Sequence, residues 1–288
     1  MFDTIVTAVT TKLGSKMNVI MIMVLTTLIG GFSILTGNFT PAYLITFPIL
    51  VPLYKKFDFD REAAFIIAQT AMSALCFIPW GIGMAYTASS AGLDANELAA
   101  ALIALGVFGI APYFVFIVTT VVTAMINYPK DFGRIFAKVG PMYLNILVML
   151  IAINVYQAVF NNTGMVGAIS DALMQFCPAF LLRYIHIILL LLCVVIIYVI
   201  PFQIFNALYP IFISIGAGFG IPAVAVIAPF VCNLSLATSS TPTNSSTYTG
   251  CALTETDVQH YCKKAVPVQT VTNAIVVLTA VLFGVLQL

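Results

Sequence analysis

Long apolar segments, separated by short polar ones, dominate the pattern of this chain. Residues 98–126, 140–160 and 265–288 are almost unbroken apolar runs. Each reaches the roughly 20 residues that a helix needs to cross a bilayer, and none alternates as the strands of a membrane β-barrel do. The pattern therefore predicts an all-α polytopic membrane protein.

Two pairs of shorter apolar segments predict two re-entrant hairpins. Segments 19–36 and 43–54 flank TGNFTP, and segments 187–200 and 203–215 flank a break at Pro201. Each arm is short for a full span, and a hairpin is tolerated in a membrane where protein or a cavity surrounds it. Two full spans in place of each hairpin fit the same pattern, so both alternatives stand.

Two longer segments, 62–92 and 221–250, are each interrupted by a polar stretch. The first contains PWG, and the second contains TSSTPTNSSTYT, in which ten of twelve side chains carry a hydroxyl group. Proline removes a backbone donor, so Pro79 and Pro242 are predicted helix breaks. The freed backbone and hydroxyl groups suit an ion or a carboxylate; the alternatives are a solvated loop or close helix packing.

An internal repeat relates the two halves of the chain. An offset of 162 residues aligns FPILVPLYKKF, which begins at Phe47, with YPIFISIGAGF, which begins at Tyr209. The same offset places Tyr86-Thr87 on Tyr248-Thr249. An odd number of crossings separates the halves, so the repeats are expected to have opposite orientations.

The repeat sets the expected division of the chain. We expect a first inverted repeat over 1–127, incomplete at its N-terminus, a basic cytoplasmic loop over 128–139 and a second repeat over 140–288. Inverted repeats with interrupted helices are typical of secondary transporters, whose binding sites lie at the interruptions.

Charge supports this topology. The chain is 61% hydrophobic and 7% charged, and it has eleven Lys and Arg residues. If each hairpin returns to its own side, all of them except Arg183 lie on one face, which the positive-inside rule assigns to the cytoplasm. We expect a multi-pass protein of the inner (plasma) membrane, with a cytoplasmic N-terminus and an external C-terminus.

Motifs for catalysis are missing from the sequence. None of the six cysteines forms a CxxC pair, His186 and His260 stand apart, and HExxH, GxSxG and phosphate-loop motifs are absent. We therefore expect neither an enzyme nor a bound cofactor, and no nucleic-acid partner. The expected partners are the lipid bilayer, a small organic anion and a coupling cation.

Several segments together resemble the citrate–metal–proton symporter family, a branch of the ion-transporter superfamily. The similar segments are MFDTIVTAV, YLITFPILVPLYKKF, IPWG, SSAGLDANEL, NNTGMVGAISDAL and TETDVQHY, which extend over nearly the whole chain. The resemblance implies two re-entrant hairpins, two broken helices, a homodimer and elevator-like movement. It also implies a citrate-like substrate, often bound with a divalent metal, that is coupled to protons or another cation.

The chain departs from the family at both hairpin tips. The family's tips are acidic, whereas these tips lie at 36–40 and 200–202 and contain no carboxylate. Divalent ions prefer carboxylate oxygens, which argues against a metal–citrate complex and favours Na⁺ over H⁺ as the coupling cation. The family also has further helices before the region that matches Met1, so the chain looks truncated.

The candidate substrate- and ion-binding residues lie at the two tips and the two interruptions. They are Thr36, Gly37, Asn38, Thr40, Gly81, Gln203, Asn206, Thr241, Thr243, Asn244 and Ser245. The expected function is cation-coupled transport of a citrate-like di- or tricarboxylate. The alternative is a degenerate, non-transporting membrane subunit or regulatory partner, which the lost acidic tips and the missing helices would explain.

Overall fold

The computed structural model describes residues 18–102, 132–283 and 286, and this part of the chain contains helices and no strands. The all-α class predicted from the sequence is therefore confirmed for the described residues. Residues 1–17 and most of the predicted span 98–126 lie outside them. The helices are α1 Val19–Ser33, α2 Phe39–Lys56, α3 Arg61–Ala74, α4 Ile82–Ala91, α5 Ala95–Leu102, α6 Phe132–Asn162, α7 Met165–Phe176, α8 Ala179–Arg183, α9 Ile185–Val199, α10 Phe202–Asn206, α11 Tyr209–Gly218, α12 Ala223–Thr238, α13 Ser245–Thr254 and α14 Val258–Leu282.

The element order follows the apolar segments. Helices α1 and α2 pack against each other and are joined by a 3₁₀ turn at Ile34–Thr36, where TGNFTP interrupts the first apolar pair. Between α3 and α4, residues 75–81 are not helical, and they include Pro79. Between α12 and α13, residues 239–244 are not helical, and they include Pro242.

Two helices begin earlier than the apolar pattern predicts. Helix α14 begins at Val258 because Asp257 caps it: the backbone N–H of His260 donates to Asp257 Oδ2 at 2.8 Å. Helix α6 begins at Phe132, so residues 132–139, which were predicted as part of a basic loop, are helical. Charged residues interrupt the apolar pattern at both helix starts, but they do not stop the backbone from being helical.

Within residues 18–102 and 132–283, two helices are long and apolar enough to cross a membrane. They are Val19–Thr36, counted together with its 3₁₀ turn, and Val258–Leu282. Only 33% and 22% of the residues in their most apolar windows are buried, so the described part of the protein does not enclose either helix. Length and composition thus agree with a membrane location for these two helices.

Two large hydrophobic clusters form most of the described core, and each of them joins both halves of the chain. A third, small cluster of Leu182, Ile211 and Ile215 lies within the second half. One contains residues of α1, α2 and α3 together with Cys251, Tyr261 and Ala265 from α13 and α14. The other contains residues of α9, α11 and α12 together with Met84 and Leu98 from α4 and α5. Each short helix after a break therefore packs against the arms of the opposite half.

Aromatic side chains fill the centre of each cluster. The ring of Phe65 on α3 stacks on Tyr261 at a centroid distance of 4.3 Å, and its edge contacts the rings of Tyr43 and Phe47 at 5.3 Å. In the other cluster, Phe230 on α12 packs against three aromatic rings of α10 and α11, at 5.5 to 6.2 Å. Such contacts each contribute about 0.5–1.5 kcal/mol beyond the burial of apolar area.

A network of ion pairs links the ends of α2 and α13 to the starts of α3 and α14. Glu255 accepts from Lys55 at 2.6 Å and from Arg61 at 2.8 Å. Lys264 pairs with Asp60 and, at 3.2 Å, with Glu62. Hydrogen bonds from Lys55, and then the charges of Lys55 and Arg61, hold the pKa of Glu255 below its usual range.

The same network shifts the pKa values of Asp60 and Lys264 in opposite directions. Partial burial alone raises the pKa of Asp60, but hydrogen bonds from Lys264 and from the amides of Ala63 and Glu62 outweigh burial, so the pKa is lowered. The hydrogen bond to Asp60 raises the pKa of Lys264. The ionised forms of both partners are therefore favoured in the folded protein.

We expect Gly250→Ala to destabilise the fold, because a Cβ at Gly250 would lie 2.0 Å from Cζ of Phe65. Relieving this overlap must move α13 or the aromatic cluster, at a cost of about 1–3 kcal/mol or more. The thermal midpoint of the purified protein should fall. Gly167→Ala on α7 is the matched control, because its added methyl group meets no atom within 4 Å. Equal midpoints for the two variants would contradict this packing.

The ion-pair network predicts a loss of stability in acid. A carboxyl group with a lowered folded-state pKa stabilises the fold above its unfolded value of about 4 and loses that effect as pH falls further. The thermal midpoint should therefore fall between about pH 5 and pH 3. Glu255→Gln should reduce this fall, whereas Asp171→Asn, at an exposed position on α7, should not.

Candidate functional site

One cavity of about 350 Å³ lies where the first hairpin tip meets both interruptions. Its volume is within the range of about 300–1,000 Å³ that is typical of small-molecule sites. Polar side chains and backbone form much of its wall, and Tyr86 and Phe202 contribute aromatic rings. The lining residues are Ile34, Gly37, Asn38, Phe39, Thr40, Cys76, Ile82, Gly83, Tyr86, Thr87, Phe202, Asn206, Val231, Leu234, Ser235, Thr238, Asn244, Ser245 and Ser246.

Three helices begin at this cavity. The first two residues of α2, α4 and α13 all line it, and these helices come from both halves of the chain. A helix N-terminus carries roughly half a positive charge and backbone N–H groups without helical partners. The arrangement therefore favours an anion in the cavity.

Asn38 and Asn244 are helix caps as well as lining residues. Asn38 Oδ1 accepts from the N–H of Thr40 at 3.2 Å, and Asn244 Oδ1 accepts from the N–H of Ser246 at 3.0 Å. Each cap satisfies one of the free N–H groups at its helix start. The N–H groups of residues 39, 83 and 245 have no hydrogen-bond partner in the described part of the chain and can donate to a ligand.

The first hairpin tip is held against the first interruption. The indole N–H of Trp80 donates to the carbonyl of Leu35 at 3.0 Å, and the N–H of Ile82 donates to the carbonyl of Gly37 at 2.9 Å. Gly37 has φ +83°, and a Cβ there would lie 3.1 Å from the carbonyl oxygen of Trp80. Glycine is therefore needed at the tip for both its conformation and this close approach.

Most hydroxyl groups of TSSTPTNSSTYT donate to backbone carbonyls, either in this stretch or in the helices next to it. Ser240 donates to the carbonyl of Leu236 at 2.8 Å, and Thr247 donates to that of Thr241 at 2.7 Å. Tyr248 OH donates to the carbonyl of Pro242 at 3.1 Å. The hydroxyl groups thus supply donors to backbone carbonyls at the break, which explains why Ser and Thr are so frequent here.

The structure separates the candidate residues into two groups. Gly37, Asn38, Thr40, Asn206, Asn244 and Ser245 line the cavity together. The remaining described candidates lie outside its lining and have structural contacts. Thr36 donates to the carbonyl of Ser33 at 2.9 Å, and Gly81 precedes α4 and donates to the carbonyl of Ile78 at 3.0 Å.

Two candidate threonines of the second interruption donate hydrogen bonds to backbone carbonyls. Thr241 is fully buried, and its hydroxyl group donates to the carbonyl of Ala237 at 3.1 Å. Thr243 donates to the carbonyl of Ile197 at 2.9 Å and so attaches the break to the end of α9. The side chain of Gln203 lies outside the described residues.

Asn206 is a lining residue whose buried polar side chain lacks a hydrogen-bond partner among the described residues. Its side chain is only 2% exposed, and its buried amide oxygen Oδ1 makes no hydrogen bond to the described residues. Leaving a buried polar group unpaired costs about 1–3 kcal/mol. A ligand that hydrogen-bonds this amide would recover part of that cost.

Sequence analysis missed several lining residues, notably Gly83, Thr87, Ser235 and Thr238. Thr87 was visible in the repeat alignment, where Tyr86-Thr87 matches Tyr248-Thr249. Thr238 is the first residue of TSSTPTNSSTYT and Gly83 lies two residues after PWG, so both are next to the predicted interruptions. Ser235 lies within an apolar helical segment, where no local signal separates a lining position from a packed one. Among the described lining residues none is Asp, Glu, Lys, Arg or His, so the helix starts dominate the electrostatics.

No protein-family model, curated protein or solved structure matches this chain.

We expect Thr247→Val to lower the thermal midpoint, because it leaves the buried carbonyl of Thr241 without its donor. The expected cost is about 1–3 kcal/mol. Thr249→Val is the matched control: Thr249 lies on the same helix, and its hydroxyl group donates to the carbonyl of Ser245 at an exposed position. A midpoint for Thr247→Val equal to that of the control would contradict the role assigned to the hydroxyl groups.

Proposed function

We propose that this chain is a secondary active transporter of a small organic anion, citrate-like in size and coupled to Na⁺ or H⁺. The observation that carries the proposal is the meeting of three helix N-termini, from both halves of the chain, at one cavity without charged lining residues. Half-helix starts that point at a substrate carboxylate are a recurrent design of such carriers.

The order of helices supports an internal repeat. Helix α12 begins 162 residues after α3, and α13 begins 163 residues after α4. Each half contains two apolar arms, then a helix that is interrupted after Ala74 or Thr238. These offsets agree to within one residue with the offset of 162 that aligns the sequences of the two halves. Opposite orientation of the halves in the membrane is part of the proposal.

Surface features support a multi-pass membrane location. Helix α6 exposes a stripe of large apolar residues, including Leu144, Leu147, Ile151 and Val155. The ion-pair network, by contrast, gathers charged residues at one end of the structure. We propose that this end faces the cytoplasm, in an inner (plasma) membrane homodimer that works by elevator-like movement.

The chemistry of the cavity fits a carboxylate. Free backbone N–H groups at residues 39, 83 and 245 are donors, and carboxylate oxygens are strong acceptors. Hydroxyl and amide oxygens from Thr87, Ser235 and Asn206 are neutral ligands of the kind that suits Na⁺. The cavity therefore offers N–H donors for a carboxylate substrate and neutral oxygen ligands for a coupling cation.

Uptake into proteoliposomes tests the proposal. We expect saturable, cation-dependent uptake of labelled citrate, malate or lactate by the full chain. Gly83→Val should reduce the apparent affinity at least about tenfold, because a side chain at Gly83 enters open space in the cavity. Gly167→Val on α7, where the added side chain also meets open space, should leave uptake unchanged.

The absence of uptake would exclude the proposed transport and favour the alternative function. If no carboxylate is carried under any cation gradient, transport by this chain is excluded. The alternative of a non-transporting subunit would then predict co-purification with a second membrane protein. Uptake that is insensitive to Gly83→Val would instead show that the substrate binds elsewhere.

A further inference from the structure

We infer that the substrate is a carboxylate that carries an apolar group of about the size of an aromatic ring, and that Tyr86, Phe202 and the apolar face of α12 bind this group. The inference rests on the proposed function and specifies its substrate class. It departs from the citrate-like expectation in the polarity of the substrate and not in its size, because a hydroxy acid with a phenyl ring, such as mandelate, is about as large as citrate.

The polar end of the cavity lies where α12 stops and α13 starts. The hydroxyl group of Ser246, in the first turn of α13, lies 3.5 Å from the carbonyl oxygen of Thr238, the last residue of α12. Both residues line the cavity, as do the starts of α2 and α4. Carboxylate oxygens accept hydrogen bonds from the free N–H groups of helix starts. We therefore place the carboxylate group of the substrate at this end.

The wall becomes apolar along α12, away from the helix starts. Val231, Leu234, Ser235 and Thr238 line the cavity from one face of α12, and about 10 Å of helix separates the first from the last. Ser235 donates to the carbonyl of Val231 at 2.7 Å, and Thr238 donates to that of Leu234 at 2.8 Å. Both hydroxyl protons are thus used within the helix, so this face offers no donor to a second carboxylate group.

Two aromatic rings from different halves of the chain line the cavity beside the apolar part of α12. The rings of Tyr86 on α4 and Phe202 on α10 lie 5.9 Å apart. Phe205, on the same short helix as Phe202, packs against Phe230 at 5.5 Å, and Phe230 directly precedes Val231. Aromatic rings pack favourably on a further ring at centroid distances of about 4.5–7 Å. This end of the cavity therefore suits an aromatic or comparably apolar group.

Asn206 independently indicates that a ligand reaches the apolar end. It lies on α10 with Phe202, its side chain is only 2% exposed, and its amide oxygen has no hydrogen-bond partner in the described part of the chain. A buried acceptor that is left unpaired is costly, so the site favours a ligand that extends this far. A hydroxyl or N–H substituent on the apolar group can pair with this oxygen.

Charge alone does not select this class of substrate, because a coupling cation in the same cavity can balance further negative charge. The polarity of the wall selects it instead. Among the described lining residues none is Lys, Arg or His. A second carboxylate group at the apolar end would lose its hydration without gaining a charged partner, which is costly, whereas an apolar group gains from leaving water.

Equilibrium binding of three 2-hydroxy acids to the full chain in lipid nanodiscs tests the inference. Lactate, mandelate and malate share one carboxylate and one hydroxyl group, and they differ in bearing a methyl, a phenyl or a carboxymethyl group. Titrations at about pH 7, where carboxyl groups are ionised, are made with and without Na⁺, so that the effect of a coupling cation is measured separately. Empty nanodiscs correct for the partition of mandelate into lipid.

We expect mandelate to bind about tenfold to 100-fold more tightly than lactate, because the phenyl ring buries more apolar area than a methyl group. Malate should bind no more tightly than lactate. Phe202→Ala should reduce the ratio of mandelate to lactate affinity about tenfold, because it removes one of the two rings. Phe176→Ala is the matched control and should leave the ratio unchanged, since Phe176 on α7 is 82% exposed and does not line the cavity.

The outcomes separate this inference from the proposed function. If malate binds more tightly than mandelate, or mandelate no more tightly than lactate, the substrate class is overturned and the transport of carboxylates stands. If none of the three acids binds with or without Na⁺, the proposed function fails as well. A ratio that Phe202→Ala leaves unchanged overturns the assigned place of the ring. The unaltered protein decides the substrate class even if Phe202→Ala does not fold.

Discussion

The hydrogen-bonding demand of two broken helices is the constraint on which this structure depends. Each break frees backbone groups in a largely apolar interior, where every unpaired group is costly. At the second break, side chains supply the donors: Thr247 binds the carbonyl of Thr241, and Tyr261 from α14 binds that of Ser239 at 3.0 Å. At the first break, the hairpin tip supplies partners instead, through the carbonyls of Leu35 and Gly37.

The breaks also determine how the halves combine. The helix that follows each break is short, ten residues in both cases, and cannot bury an apolar face alone. Helix α13 therefore packs against α2 and α3, and α4 packs against α10, α11 and α12. A hydrogen bond also links the two interrupted helices directly: Gln69 of α3 donates to the carbonyl of Ser235 on α12 at 2.7 Å. Ser235 also lines the cavity, whose walls come from both halves of the chain.

The sequence predicted the helical class, the apolar arms and the location of both interruptions, because proline and apolar periodicity are local signals. It predicted the cavity less completely. Asn38, Asn206 and Asn244 could be found at tips and breaks, but Thr241 and Thr243 were equally polar and are directed to the backbone. Which hydroxyl group faces a cavity depends on tertiary packing, and the apolar neighbours of Ser235 gave no local sign of its place in the wall.

An uncharged cavity is physically suited to the proposed transport. A fixed charged side chain that moves through a bilayer carries a large desolvation cost whether or not the substrate is bound. Here the positive potential comes from helix starts, whose partial charges are spread over several N–H groups of α2, α4 and α13. These partial charges partly compensate an anionic ligand, and the empty site contains no full charge on its described wall. Neither the occupied nor the empty site therefore carries a large electrostatic penalty. A carrier that returns empty across the membrane needs a low penalty in both states.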